Sequence, residues 1–101
     1  MKVIVVLGIK EYQEELVGAL KKIRVPVFSK IEIQGIHNEN LPVDAANWFG
    51  GTKGGDSSVM FFALVSDYEA GAIMDNIEKL NTGKNDIRPF HAFQMPVERF
   101  V

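Results

Sequence analysis

The sequence predicts an α+β domain in which β-α-β, a long intervening segment and a second β-α-β follow one another along the chain. Three observations predict it. Val3 to Leu7 and Val59 to Val65 are continuous apolar runs, and each passes directly into helical spacing. Val27 to Ile36 alternates, and Pro89 to Val97 reads as a closing strand. That order is the ferredoxin-like split βαβ arrangement: a four-stranded antiparallel sheet with both helices on one face, its first and third strands central.

Each element has its own signals. The run Val3 to Leu7 is rich in β-branched residues and is closed by Gly8. Tyr12, Leu16, Leu20 and Ile23 then recur at helical spacing. Glu11, Glu14 and Glu15 lie near the start of that helix and Lys21, Lys22 and Arg24 at its end, which complements the macrodipole, and Pro26 stops it. In the second strand Ile31 and Ile33 share one face while Lys30, Glu32 and Gln34 share the other, the pattern of an edge strand with one solvated side. The segment 37–57 has no period of either kind and contains Trp48, Phe49, Gly50, Gly51 and Lys53. After the third strand, Ser66-x-x-Glu69 is a capping box, and Ala70, Ile73, Met74, Ile77 and Leu80 form the apolar stripe behind it. Asn81-Thr82-Gly83 ends that helix, and Pro96 places the last strand at an edge or marks its end.

Composition bounds the function. The chain has 101 residues, which suits a single domain spanning 1–101, and its 47% hydrophobic and 24% charged residues are those of a folded globular protein. A net charge of −2 provides no general field for nucleic acid or an anionic membrane. The absence of cysteine excludes disulfides, thiolate metal sites and a cysteine nucleophile. The apolar start is too short to span a bilayer and lacks a signal-peptide cleavage pattern, so the expectation is a cytoplasmic protein with no membrane insertion. The two helices can cover only one face of the sheet, although the central strands are apolar on both. Self-association is the simplest cover for the other face.

The chemistry-bearing residues are few. The glycine-rich run 50–55 does not have the spacing of a phosphate-binding P-loop and precedes a strand, so it reads as a partner-binding loop together with Trp48 and Phe49. His37 and His91, with Glu39, Asp44 and Asp56, are the candidate metal ligands, at no recognised ligand spacing. No nucleophile-base-acid series stands out, so no catalytic residue is assigned and the protein is not read as an enzyme. Thr82, Gly83, Lys84 and Arg88, together with Arg99, suit a di- or triphosphate through charge-assisted hydrogen bonds. Lys84 and Arg88 are expected at one end of the sheet and Arg99 near the other, so they converge only across a symmetric interface.

These features together resemble the PII signal-transduction superfamily, the trimeric nitrogen-regulatory-type proteins and their PII-like relatives. The resemblance covers nearly the whole chain: the Met1-Lys2-Val3-Ile4 opening, the strand ending Ile31-Glu32-Ile33-Gln34-Gly35, the long segment after it, and Thr82-Gly83-Lys84 after the second helix. It implies that 37–57 is a T-loop, that 82–88 is a B-loop and that a C-terminal loop follows the last strand. Ser29, Gly35, Ile36 and His37 would then lie about the T-loop base, and Arg99 would reach phosphate across a cleft between subunits. The chain departs from the pattern in Asn85-Asp86-Ile87-Arg88-Pro89, which lacks the further B-loop glycines and second lysine. His37 and Glu39 replace a glycine and a glutamine, and the modifiable tyrosine is missing. The resemblance therefore implies a divergent PII-like homotrimer that binds a small anionic effector such as ATP, ADP or AMP and acts on a partner, such as a membrane transporter, through its long loop. A metal-tolerance trimer similar to the CutA family, with His37, Glu39 or His91 as ligands, is the alternative.

Overall fold

A computed structural model describes residues 1–36, 57–82 and 89–101. Strand β1 (Lys2–Ile9) leads through a 3-10 turn (Lys10–Tyr12) into helix α1 (Gln13–Ile23) and strand β2 (Ser29–Gln34). Strand β3 (Ser57–Val65), helix α2 (Asp67–Asn81) and strand β4 (Phe90–Pro96) follow. The sheet order is β2-β3-β1-β4, with every neighbouring pair antiparallel. This is the α+β, ferredoxin-like order the sequence predicts, with the two apolar runs at the centre.

Strand register divides the side chains between two faces. Ile4 and Val6 of β1 lie beside Ala63 and Phe61 of β3, and all four are buried. They form one core with Leu16 and Leu20 of α1 and Ala70, Ile73 and Ile77 of α2. On the opposite face Val3 pairs with Leu64 and Val5 with Phe62 on β3, and with Met95 and Phe93 on β4. Phe62, Leu64, Phe93 and Met95 are each 40% exposed or more. Among the described residues, the helices cover only one face of the run Val59 to Val65.

Several local details differ from the sequence reading, each for a physical reason. Gly8 lies within β1 instead of closing it. A Cβ there would come 3.0 Å from Cδ1 of the Phe90 ring, so the glycine seats that buried aromatic against the strand. Helix α1 ends in a Schellman motif ahead of Pro26. Arg24 takes the left-handed conformation (φ 70°), its N–H donates to Lys21 O at 3.0 Å, and Val25 N–H donates to Leu20 O at 3.1 Å. Leu20 and Val25 are both buried in the core, which supplies the apolar contact of that motif. Strand β2 is shorter than Val27 to Ile36, because its pairing with β3 runs only from Ser29↔Phe62 to Gln34↔Ser57. Strand β3 correspondingly begins at Ser57, two residues before the apolar run, since backbone pairing does not require an apolar side chain.

The capping box of α2 is formed. Glu69 N–H donates to Ser66 Oγ at 3.1 Å, and Ser66 N–H donates to Glu69 Oε1 at 3.0 Å. The backbone bond from Ser66, then its side-chain bond, hold the Glu69 carboxyl below its ordinary value of 4.5. A folded-state value below the unfolded one contributes stability that is present above pH 4.5 and is lost as pH falls through the lowered value. Glu69→Gln keeps an acceptor at this position. Its urea midpoint should change less than that of the wild type between neutral and acidic pH, and an unchanged acid dependence would contradict the assignment.

Candidate functional site

Register fixes which residues share each end of the sheet. At one end Ile9 lies beside Ser58 and Gly8 beside Phe90, while Gln34 closes its pairing at Ser57. Residues Gly35 and Ile36 leave the sheet here, Ile36 almost wholly exposed at 91% and Gly35 half-buried. The C-terminus of α2 reaches the same end. Both chain connections that the sequence reading singles out, the one after β2 and the one after α2, thus begin and finish on one rim of the sheet. The roots lie within about 15 Å of each other, because adjacent strands are about 4.8 Å apart.

Asn81 organises this rim. Its Nδ2 donates to Phe90 O at 3.0 Å, and Phe90 N–H donates to its Oδ1 at 3.1 Å, so one amide satisfies both backbone groups of the first β4 residue. The adjoining Ile9 N–H donates to Pro89 O at 3.2 Å. The last turn of α2 and the first residue of β4 are thereby held at fixed separation, which fixes the two ends of the 83–88 connection. Asn81→Ala should lower stability by about 1–3 kcal/mol, because both partly buried backbone groups lose their partner. Chemical denaturation checks it, and an unchanged midpoint would contradict this role. Sequence reasoning took Asn81 only as a helix-end residue. Its position just before Thr82-Gly83 was the available signal, but nothing local shows that its partner lies nine residues away.

Thr82 sits on this rim with its hydroxyl donating to Glu78 O at 2.9 Å, so the proton is turned back into the helix and the oxygen lone pairs face outward. Engaging an anion through this hydroxyl requires the proton to leave Glu78. Nearby, Lys10 and Glu32 pair at 2.9 Å. The hydrogen bond from Lys10, followed by its charge, lowers the pKa of Glu32, with a smaller contribution from Lys30. Lys10 is therefore already engaged by an acid.

The opposite end carries the other described candidates. Pro96 lies beside Lys2, Val97 N–H donates to Met1 O at 3.2 Å, and the exposed Arg99 follows two residues later. Ser29 is exposed at the start of β2, opposite Phe62. It is separated from Gly35 by the length of β2, roughly 20 Å at about 3.3 Å per residue, so it is not at the base of the segment after β2 within one chain. The described candidates thus fall into two groups, Gly35, Ile36 and Thr82 on one rim and Ser29 and Arg99 towards the other. His37, Glu39, Asp44, Trp48, Phe49, Gly50, Gly51, Lys53, Asp56, Gly83, Lys84 and Arg88 lie outside the described residues.

His91 projects from the open sheet face, opposite Leu7. Among the described residues no group of three or more His, Asp or Glu side chains is arranged to hold a metal ion. Ile4, Val6, Phe28, Phe61 and Ile73 help line a small apolar pocket of about 10 Å³, partly open to the surface, at most one water in size and without polar partners for it. Among the described residues no helix is long and apolar enough to cross a membrane.

No family model matches the chain, and no curated protein matches it. The chain is similar to a solved structure, the crystal structure of a DUF3240 family protein from Shewanella baltica OS155. The identity is 14% over 99% of this chain and 92% of that one, with a TM-score of 0.68. At that identity the likeness concerns the fold, and it shows that the four-stranded, two-helix arrangement described above recurs in a solved protein over nearly its full length.

Proposed function

We propose that this chain is a non-enzymatic, PII-like regulatory protein. It binds a small anionic effector, an adenine nucleotide such as ATP, ADP or AMP, in clefts between the subunits of a homotrimer. The 37–57 segment transmits occupancy to a partner protein such as a membrane transporter. The observation that supports this reading is the shared rim. The segment read as the output loop and the Thr82-to-Arg88 segment read as the phosphate loop both root there, while Arg99 lies towards the opposite end. A ligand that engages the second segment is then within reach of the base of the first, and an order-disorder change in one connection can follow occupancy beside the other. Arg99 enters such a site only from a neighbouring subunit.

Titration calorimetry with ATP, ADP and AMP tests the proposal. It predicts saturable binding of at least one nucleotide below millimolar concentration, with one site per chain. No heat of binding at millimolar nucleotide would sink the effector assignment.

A further inference from the structure

We propose that the corner where α1 turns into β2 is a docking surface for a short acidic segment of a partner polypeptide. Lys21, Lys22 and Arg24 stand there, all exposed. Spacing gives them no acid on their own helix, since the residues three and four positions before each are Val17, Gly18, Ala19, Leu20 and Lys21. Glu14 and Glu15 lie seven residues back, about 10 Å away at about 1.5 Å per residue. The Met1–Asp67 and Lys10–Glu32 ion pairs leave all three cations out. The helix dipole accounts for Lys21 and Lys22 in the last turn, but Arg24 needs a further reason. Among the described residues it is the non-glycine residue with a positive φ, 70°, at the Schellman position that glycine fills without a Cβ clash. Its backbone N–H makes the cap, donating to Lys21 O, and glycine would cap equally well. The chain thus carries backbone strain for a side chain that stands in solvent, which is the pattern of a residue kept for what it contacts.

Shape and charge select the occupant. Beyond the cations Pro26 is exposed and Val27 is 74% exposed, so the corner projects instead of enclosing a small anion. A long polyanion is disfavoured as well. Glu11, Glu14 and Glu15 at the start of the same helix repel a nucleic-acid strand or an anionic lipid surface laid along it, in a chain whose net charge is −2. A short segment with a few carboxylates reaches the three cations without meeting those acids. Arg24 offers a planar fork to one carboxylate, and the lysines supply point charges beside it. Pro26 and Val27 give an apolar residue of the same segment its contact. The corner lies at the Ser29 end of β2, away from Gln34 and the rim where the 37–57 segment begins. It is therefore a second partner surface, and it stands whether or not the rim binds nucleotide.

Fluorescence anisotropy of a labelled glutamate-rich peptide containing one leucine tests the proposal on the full chain, with urea denaturation of each variant alongside. The wild type should bind this peptide at low salt, lose affinity as salt rises, and ignore the same peptide with glutamine in place of glutamate. Arg24→Gly should bind roughly three- to tenfold more weakly while its urea midpoint rises, because the left-handed strain is relieved as the contact is lost. The Lys21→Ala, Lys22→Ala double variant should also bind more weakly. Lys79→Ala, in the last turn of α2, should bind as wild type. A wild type that does not bind the peptide would overturn the proposal, as would one that prefers phosphatidylserine vesicles or a DNA oligonucleotide to it. Wild-type affinity in Arg24→Gly would remove that residue from the surface. A lower midpoint in Arg24→Gly would show that the fold itself uses the arginine, and would equally overturn the assignment.

Discussion

Phe61→Ala is expected to cost about 3–5 kcal/mol, a large share of the roughly 5–15 kcal/mol that holds a domain of this size folded. The ring is 1% exposed and lies beside Val6 in the central pair of strands, with the Phe28 ring 6.1 Å away at a tilt of 48°. It also lines the small, partly open apolar pocket, so its removal enlarges an existing gap. The urea midpoint should fall by more than 1 M at an m-value of about 1–3 kcal/mol per molar. Its neighbour makes the contrast. Phe62 belongs to the same strand but to the other face, at 40% exposure. Phe62→Ala should leave the dilute chain folded, and its cost should appear mainly as a loss of the concentration dependence that self-association confers on stability. Equal midpoint losses at low concentration for the two alanine variants would contradict the division of the sheet into a dry face and an open one.

Arg99→Ala should weaken nucleotide binding by roughly ten- to a hundredfold while leaving the urea midpoint unchanged. Arg99 is exposed beyond the last strand and takes part in neither the Met1–Asp67 pair at 3.3 Å nor the Lys10–Glu32 pair, so among the described residues no acid takes up its charge. A charge-assisted hydrogen bond to phosphate contributes about 1.5–3 kcal/mol, which is the source of that factor. Arg99→Lys should be intermediate, because lysine keeps the charge and loses the planar fork that grips two oxygens. Calorimetry against ATP and ADP checks both variants, and wild-type affinity in Arg99→Ala would remove the residue from the site.

Much of the frame was legible because its signals are local. Val3 to Leu7 and Val59 to Val65 are apolar at every position, which only central strands tolerate, and Ser66 with Glu69 carries its own hydrogen-bond partners within one turn. The features that escaped depend on contacts distant in sequence. Gly8 looks like a terminator until the Phe90 ring is placed on it. The end of α1 is set by Arg24 in a left-handed conformation that glycine ordinarily supplies, so Pro26 seemed the stop. The alternation of β2 shows two faces but not which one meets the helices, and register answers it: Lys30 and Glu32, both exposed, lie on the helix side and Ile31 on the open side. The site was legible only as residue types. That Ser29 and Gly35 lie at opposite ends of one strand, and Thr82 and Arg99 towards opposite ends of the sheet, follows from register and from nothing in the local sequence.

The central claim is that effector binds between subunits, with the Thr82-to-Arg88 segment from one copy and Arg99 from the next. Mixing two weakened variants tests it most directly. Lys84→Ala and Arg99→Ala each weaken every cleft when assembled alone, but after joint refolding some clefts combine the intact half of each. Calorimetry on the refolded mixture should then recover a fraction of sites with wild-type nucleotide affinity that neither variant shows by itself. A mixture that assembles normally and binds no more tightly than its two components would contradict a site shared between chains.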